Sequence, residues 1–250
     1  MIVQVRDDEL VLIRQHDHGI ASGVFAHEWI GLDGNGRAPF DVVLAAALHD
    51  FAWSEVDERP HFDAERRAPL DFERHPTGPK YAFYERGLDA VERISPYSAL
   101  LGSLHYAAFA MDRGIPGFLQ RESARRERLR GSLELGPPHD AVIELDRVLV
   151  RLFDNLSLFV CLQSPGVRNQ PAWLAPEVVG VDPGGNSFAL RWVESTVLAV
   201  DPFPFRRSFP LGIPARHLPP GPYDTPHSLD EAWEAGRHST LVVEIVPARG

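Results

Sequence analysis

The stretch Ala46-Ala47-Leu48-His49-Asp50 closes an apolar, alanine-rich run that opens near Pro39. Helical spacing puts Val42, Ala45, Ala46 and His49 on one face. Neighbouring helical residues stand about 100° apart, so His49 and Asp50 both lean toward one point beside the helix. A histidine and an aspartate ending so apolar a segment are expected to be buried. Buried polar groups require partners, and a buried carboxylate requires a cation or several donors. A metal ion supplies both needs, so the rest of the chain is read for further ligands.

Working outward, residues 2–14 read as a hairpin, with Val3 and Val5 alternating against polar neighbours and Asp7-Asp8-Glu9 at the turn. A helix is predicted over about 17–31. His18 shares a face with Ala21, Phe25 and Trp29, whereas His16 shares one with Ile20 and Val24. Residues two apart on a helix diverge, so at most one of these histidines reaches a site shared with His49. His18, on the heavier apolar stripe, is preferred. The proline-punctuated segment 54–80 reads as a long loop forming a cleft wall, with Asp57, His61 and His75 as candidates. Helices are predicted over 81–94 and 96–112, the second placing His105 on a stripe with Leu101 and Ala108. Five arginines in 117–130 read as a solvated helix face. The longest helix, about 138–163, is apolar nearly all round and therefore central. Asp154 lies on it between Val150 and Leu158 and so needs a partner. Beyond Gln163, β-like runs at 187–193, 196–200 and 240–246 and a short helix near 231–236 are predicted.

Composition narrows the function. A net charge of −10 argues against a general binder of nucleic acid or anionic membranes. No apolar run reaches membrane-spanning length and no signal-peptide pattern is present. The single cysteine, Cys161, fits a reducing compartment, so a cytoplasmic location is expected. Lys80 is the only lysine among 25 basic residues. The expected architecture is a mainly α, HD-domain-like bundle of about five or six helices with a small antiparallel sheet. That sheet would join the N-terminal hairpin to the C-terminal strands. A single domain over 1–250 is expected, with a metal-binding helical core at about 15–163 and a β-rich appendage from 1–14 and 164–250.

The order His18 (or His16), His49-Asp50, His105, Asp154 resembles the HD superfamily of metal-dependent phosphohydrolases. The resemblance implies that His18, His49, Asp50 and Asp154 bind metal, that His105 serves a second ion, and that Asp50 bridges the two. More closely, the chain resembles a bacterial family called domain of unknown function 3891. The matching pieces are Gln15-His16-Asp17-His18 with Trp29, and His49-Asp50 with Trp53, Asp57 and Pro60. Ser103-Leu104-His105 and Phe153-Asp154-Asn155-Leu156-Ser157-Leu158 with Cys161 complete the match. Where many superfamily members carry a glycine and a lysine after the His-Asp pair, this chain has Phe51-Ala52-Trp53.

Mixed imidazole and carboxylate ligands suit one or two divalent transition ions, Fe, Mn, Zn, Co or Ni. The expectation is a metal-dependent hydrolase that activates water, with Asp50 and Asp57 as catalytic carboxylates. The expected partner is a small-molecule substrate, a phosphate group being one option, while homo-oligomerisation is left open. A non-haem di-iron oxygenase and a non-catalytic, metal-stabilised ligand-binding protein are the alternatives.

Overall fold

The computed structural model describes residues 1–112, 114–177 and 179–248. In chain order the elements are β1 (Ile2–Val5), β2 (Leu10–Ile13), α1 (Gln15–Glu28), α2 (Phe40–Leu48), β3 (Phe62–Asp63), β4 (Ala68–Pro69) and α3 (Thr77–Ile94). Then come α4 (Pro96–Asp112), α5 (Pro116–Ser132), α6 (Asp140–Leu162), β5 (Gly180–Val181), β6 (Ser187–Glu194), β7 (Val197–Asp201), β8 (Phe209–Leu218), α7 (Pro226–Ala235) and β9 (Arg237–Pro247). Short 3-10 turns cover Phe51–Trp53, Phe72–Arg74 and Pro137–His139.

The expected helical bundle with a small sheet is not what forms. Seven strands build one sheet in the order β1-β2-β8-β9-β7-β6-β5, curled into a half-barrel. Helix accounts for 47% of the chain and strand for 20%, which makes the fold α+β. Nor is the sheet antiparallel throughout, because β7 and β9 run parallel with Val197 opposite Glu244. The N-terminal hairpin joins the C-terminal strands through β2 and β8, with Leu10 opposite Leu218.

The sheet was underestimated because of β8, whose sequence looks like a loop. Its inward residues Phe209, Leu211, Ile213 and Ala215 alternate with outward Pro210, Gly212 and Pro214. Proline cannot donate to a ladder and is tolerated at strand edges. Here β2 reaches only residues 216–218 of β8, so one flank of 209–215 has no ladder to feed.

The sheet and the helices share one core. Phe25 on α1 packs on Phe205 and Phe209, and Trp29 meets Phe153 of α6 and Phe188 of β6 edge-on. Central α6 buries Leu149, Val150, Leu152, Phe153, Leu156 and Phe159. Helices α1 and α2 approach so closely that a Cβ on Gly23 would stand 2.7 Å from that of Ala47. A Cβ on Gly87 of α3 would lie 2.5 Å from the Ala52 Cα. These two contacts fix the ends of the segment that carries His49 and Asp50. The segment 54–80 is less irregular than expected, holding the β3–β4 pair and the first turn of α3. Among the described residues no helix is long and apolar enough to cross a membrane.

Candidate metal centre

Four helices deliver the site. His18 comes from α1, His49 and Asp50 from the end of α2, His105 from α4 and Asp154 from α6; all five are buried. His18 rather than His16 faces the cluster, while His16 packs edge-on against Phe51.

His18 and His49 are each held through one nitrogen and present the other. The His49 Nδ1–H donates to the Ala46 carbonyl at 2.7 Å, since a carbonyl only accepts. Its Nε2 lies 3.3 Å from Asp154 Oδ1 and 3.7 Å from Asp50 Oδ2, yet it is buried without an aligned hydrogen bond. The Ser157 hydroxyl donates to the Asp154 carbonyl at 2.9 Å and so accepts from His18 Nδ1 at 2.8 Å. Ser22 approaches the same hydroxyl at 2.7 Å. That leaves His18 Nε2 facing Asp50 Oδ2 at 3.0 Å. A lone pair and a carboxylate oxygen this close require a positive charge, either a ring proton or a cation between them.

The charges respond accordingly. Burial works against a charged His49, but the Asp50 and Asp154 carboxylates beside it raise its pKa to about 9. Burial likewise opposes ionised Asp154, yet His49, His105 and Arg151 hold it well below the usual carboxylate range. Asp50 is also lowered against burial, by His49 and His18, and accepts from the Tyr106 hydroxyl at 3.2 Å. His105 is pushed down to about 3 by burial, so it stays neutral, with Nε2 3.5 Å from Asp154 Oδ2.

The donor set could hold a metal ion: ligand atoms of His18, His49 and Asp154, all buried, lie within 4.8 Å of one another. Imidazoles whose second nitrogens are fixed by acceptors are the usual arrangement around such ions. The Nε2 of His49, buried without an aligned hydrogen bond, points between the Asp154 and Asp50 carboxylates. Asp50 and His105 flank this trio.

The cluster forms the floor of a cavity of about 320 Å³. Asp57, expected there as a catalytic carboxylate, is absent from the lining. Its Oδ1 takes the Met1 amine and its Oδ2 the Gln15 backbone N–H, both at 2.7 Å. Its role is to satisfy an orphan donor at the start of α1. Of the other loop candidates, His75 packs against Trp53, Phe83 and His61, outside the cavity lining.

The chain belongs to the family described as "Protein of unknown function (DUF3891)", whose profile matches residues 1–220. No curated protein and no solved structure gives a match. These comparisons supply the family and do not extend to the HD superfamily.

Sequence reasoning missed several residues that line the cavity or stand behind its ligands. Arg151 lies one helical turn before Asp154 and binds its Oδ2 at 3.1 Å. Ser157 lies one turn after it, and Tyr106 follows His105; the i±3 positions around Asp154 were the available signal. Gln15 and Lys80 also line the cavity. Lys80 could not have been found locally, because its ammonium is carried in from α3 onto the Phe72 carbonyl at 2.6 Å.

Proposed function

We propose that this cavity is the active site of a metal-dependent hydrolase acting on a small molecule. The observation that carries the reading is the His49 Nε2, an orphaned buried donor atom aimed between two carboxylates at the wall of an open cavity. A purely structural metal site is closed, whereas a catalytic one keeps positions facing a cleft. His18, His49 and Asp154 would hold the ion, with Asp50 beside them and His105 placed to serve a second ion through Asp154. A divalent transition ion bound there would make water a nucleophile near neutral pH and polarise an oxygen of the substrate.

The chain's own residues supply the remainder. Ser157 and the Ala46 carbonyl keep both Nε2 atoms turned toward the cavity floor. Tyr106 donates to Asp50 and holds that carboxylate in one orientation. Arg151 and Lys80 add positive charge to the walls, which favours an anionic leaving group such as phosphate. The likeness of the His, His-Asp, Asp order to HD phosphohydrolases supports the same assignment. We propose a reducing compartment, the cytoplasm, with which the lone buried Cys161 is in keeping.

A second reading has its own support. Two histidines and one carboxylate with open positions are also the ligand pattern of non-haem iron oxygenases. Elemental analysis of protein purified without a metal-affinity tag, followed by loading with Fe, Mn, Zn, Co or Ni, separates the two. Chelator-sensitive hydrolysis of chromogenic phosphate or carboxylate esters is expected. Oxygen uptake by the iron form without ester hydrolysis transfers the assignment to the oxygenase, and bound metal with neither activity marks a non-catalytic site.

A further inference from the structure

Gln15 plays no part in the metal cluster, yet it is held in the same cavity. It is the first residue of α1, 2% exposed, and its Oε1 is buried with no hydrogen-bond partner. Its backbone is not free to drift, because Asp57 accepts its N–H at 2.7 Å. Buried side-chain amides are normally satisfied, and an amide oxygen left unpartnered on a residue that lines the cavity points to a ligand group that donates to it.

The remaining walls define the rest of that ligand. Three carboxylates, Asp50, Glu73 and Asp154, face two fixed cations, Lys80 and Arg151. One divalent ion reverses this deficit and leaves the cavity positive, so a bound molecule should carry negative charge. Much of the lining is aromatic, including Tyr81, Phe109 and Trp173, which suits a flat, unsaturated body.

We propose that Gln15 is the specificity-determining residue of the site. The ligand is then a compact organic anion, carboxylate or phosphate ester, with a flat body and an O–H or N–H group donated to Gln15 Oε1. The inference rests on the reading of this cavity as a substrate site and adds which chemistry it selects. Neither the aromatic walls nor the metal cluster alone distinguishes a hydroxylated ligand from its bare analogue. A hydrogen-bond acceptor that loses water and gains nothing rejects the bare analogue.

Calorimetric titration of the metal-loaded protein tests this with 4-hydroxybenzoate against benzoate, 4-hydroxyphenyl phosphate against phenyl phosphate, and uncharged 4-hydroxybenzyl alcohol. Each hydroxylated anion is expected to bind about tenfold or more tightly than its partner. The uncharged alcohol should bind weakest, and the better of the two anion pairs identifies the anionic group. Gln15→Met, which keeps the length and helix propensity, should abolish the preference while bound metal stays unchanged by elemental analysis. Gln15→Glu keeps an acceptor but adds negative charge, and should weaken both anions of each pair. Equal binding within both pairs, a preference that survives Gln15→Met, or no binding of any probe to the wild type overturns the proposal. Repeating the titrations on metal-free protein separates the two readings. A Gln15-dependent preference in protein that binds no metal would retain this inference and remove the metal-dependent hydrolase.

Discussion

Two of the histidine–carboxylate groupings among the described residues differ in how the imidazole is completed. On the sheet, His217 is complete: Nδ1 pairs with Glu9 Oε2 at 2.8 Å and Nε2 with Ser239 Oγ at 2.7 Å. At the helical cavity, His49 has one nitrogen satisfied and the other buried and open. Each cluster lies beside a cavity, and each contains acids and imidazole. The lesson is that residue types do not separate a structural network from a candidate site. The accounting of lone pairs and protons, taken together with the cavity beside them, does, because a buried polar atom without a partner is costly and calls for something that completes it.

The largest effect is expected from Asp154→Asn. If Asp154 is a metal ligand, replacing its anionic oxygen by an amide should lower metal affinity by about a hundredfold or more. Melting of the wild type should then respond to chelator and melting of the variant should not. Equal chelator sensitivity in both proteins would dissolve the shared site.

Next in size is the matched pair His49→Gln and His217→Gln. The first should strip bound metal, whereas the second should leave metal content intact and cost about 1–2 kcal/mol in urea unfolding for two lost hydrogen bonds. Metal loss in His217→Gln would mean that the two clusters are coupled.

A smaller effect is expected from Ser157→Ala, which removes the acceptor that orients His18 without touching a ligand atom. Metal affinity should fall about tenfold, read as a shift in a competitive chelator titration. Unchanged affinity would show that the His18 ring is held by packing alone.

The smallest effect concerns Asp71, a carboxylate with neither a histidine nor a metal cluster against it. It accepts only backbone N–H groups, from Val3 at 3.1 Å and Glu73 at 2.9 Å. Burial raises its pKa from 3.8 to about 6, opposed by those donors and the Met1 amine and reinforced by Glu73. Because the folded value exceeds the unfolded one, its contribution is full below the unfolded pKa of 3.8 and is lost as pH rises through about 6. Relative to Asp71→Asn, the wild type should therefore lose on the order of 1 kcal/mol between about pH 4 and 7. A flat difference across that window would remove the buried-acid account.

Which residues are buried and polar at once was legible along the chain. His49 and Asp50 ending an alanine-rich helix, and Asp154 on a helix apolar nearly all round, stood out because helical periodicity assigns faces locally. Their need for partners follows from desolvation. The hairpin at residues 2–14 was legible for the same reason, through its period of two. Tertiary structure alone decided what those residues meet. Asp57 looked like a cavity acid and instead anchors α1 through Gln15. Lys80, more than twenty-five positions from His49, reaches the cavity wall even though no lysine follows the His-Asp pair. The seven-stranded sheet escaped notice because β8 alternates apolar residues with proline and glycine. Its strand state depends on the partner β9, about thirty residues away, while β2 pairs only residues 216–218 on the other flank and leaves the prolines no ladder to feed. Periodicity is a property of neighbours along the chain, while pairing and charge balance are properties of neighbours in space, and these were set by packing across long separations.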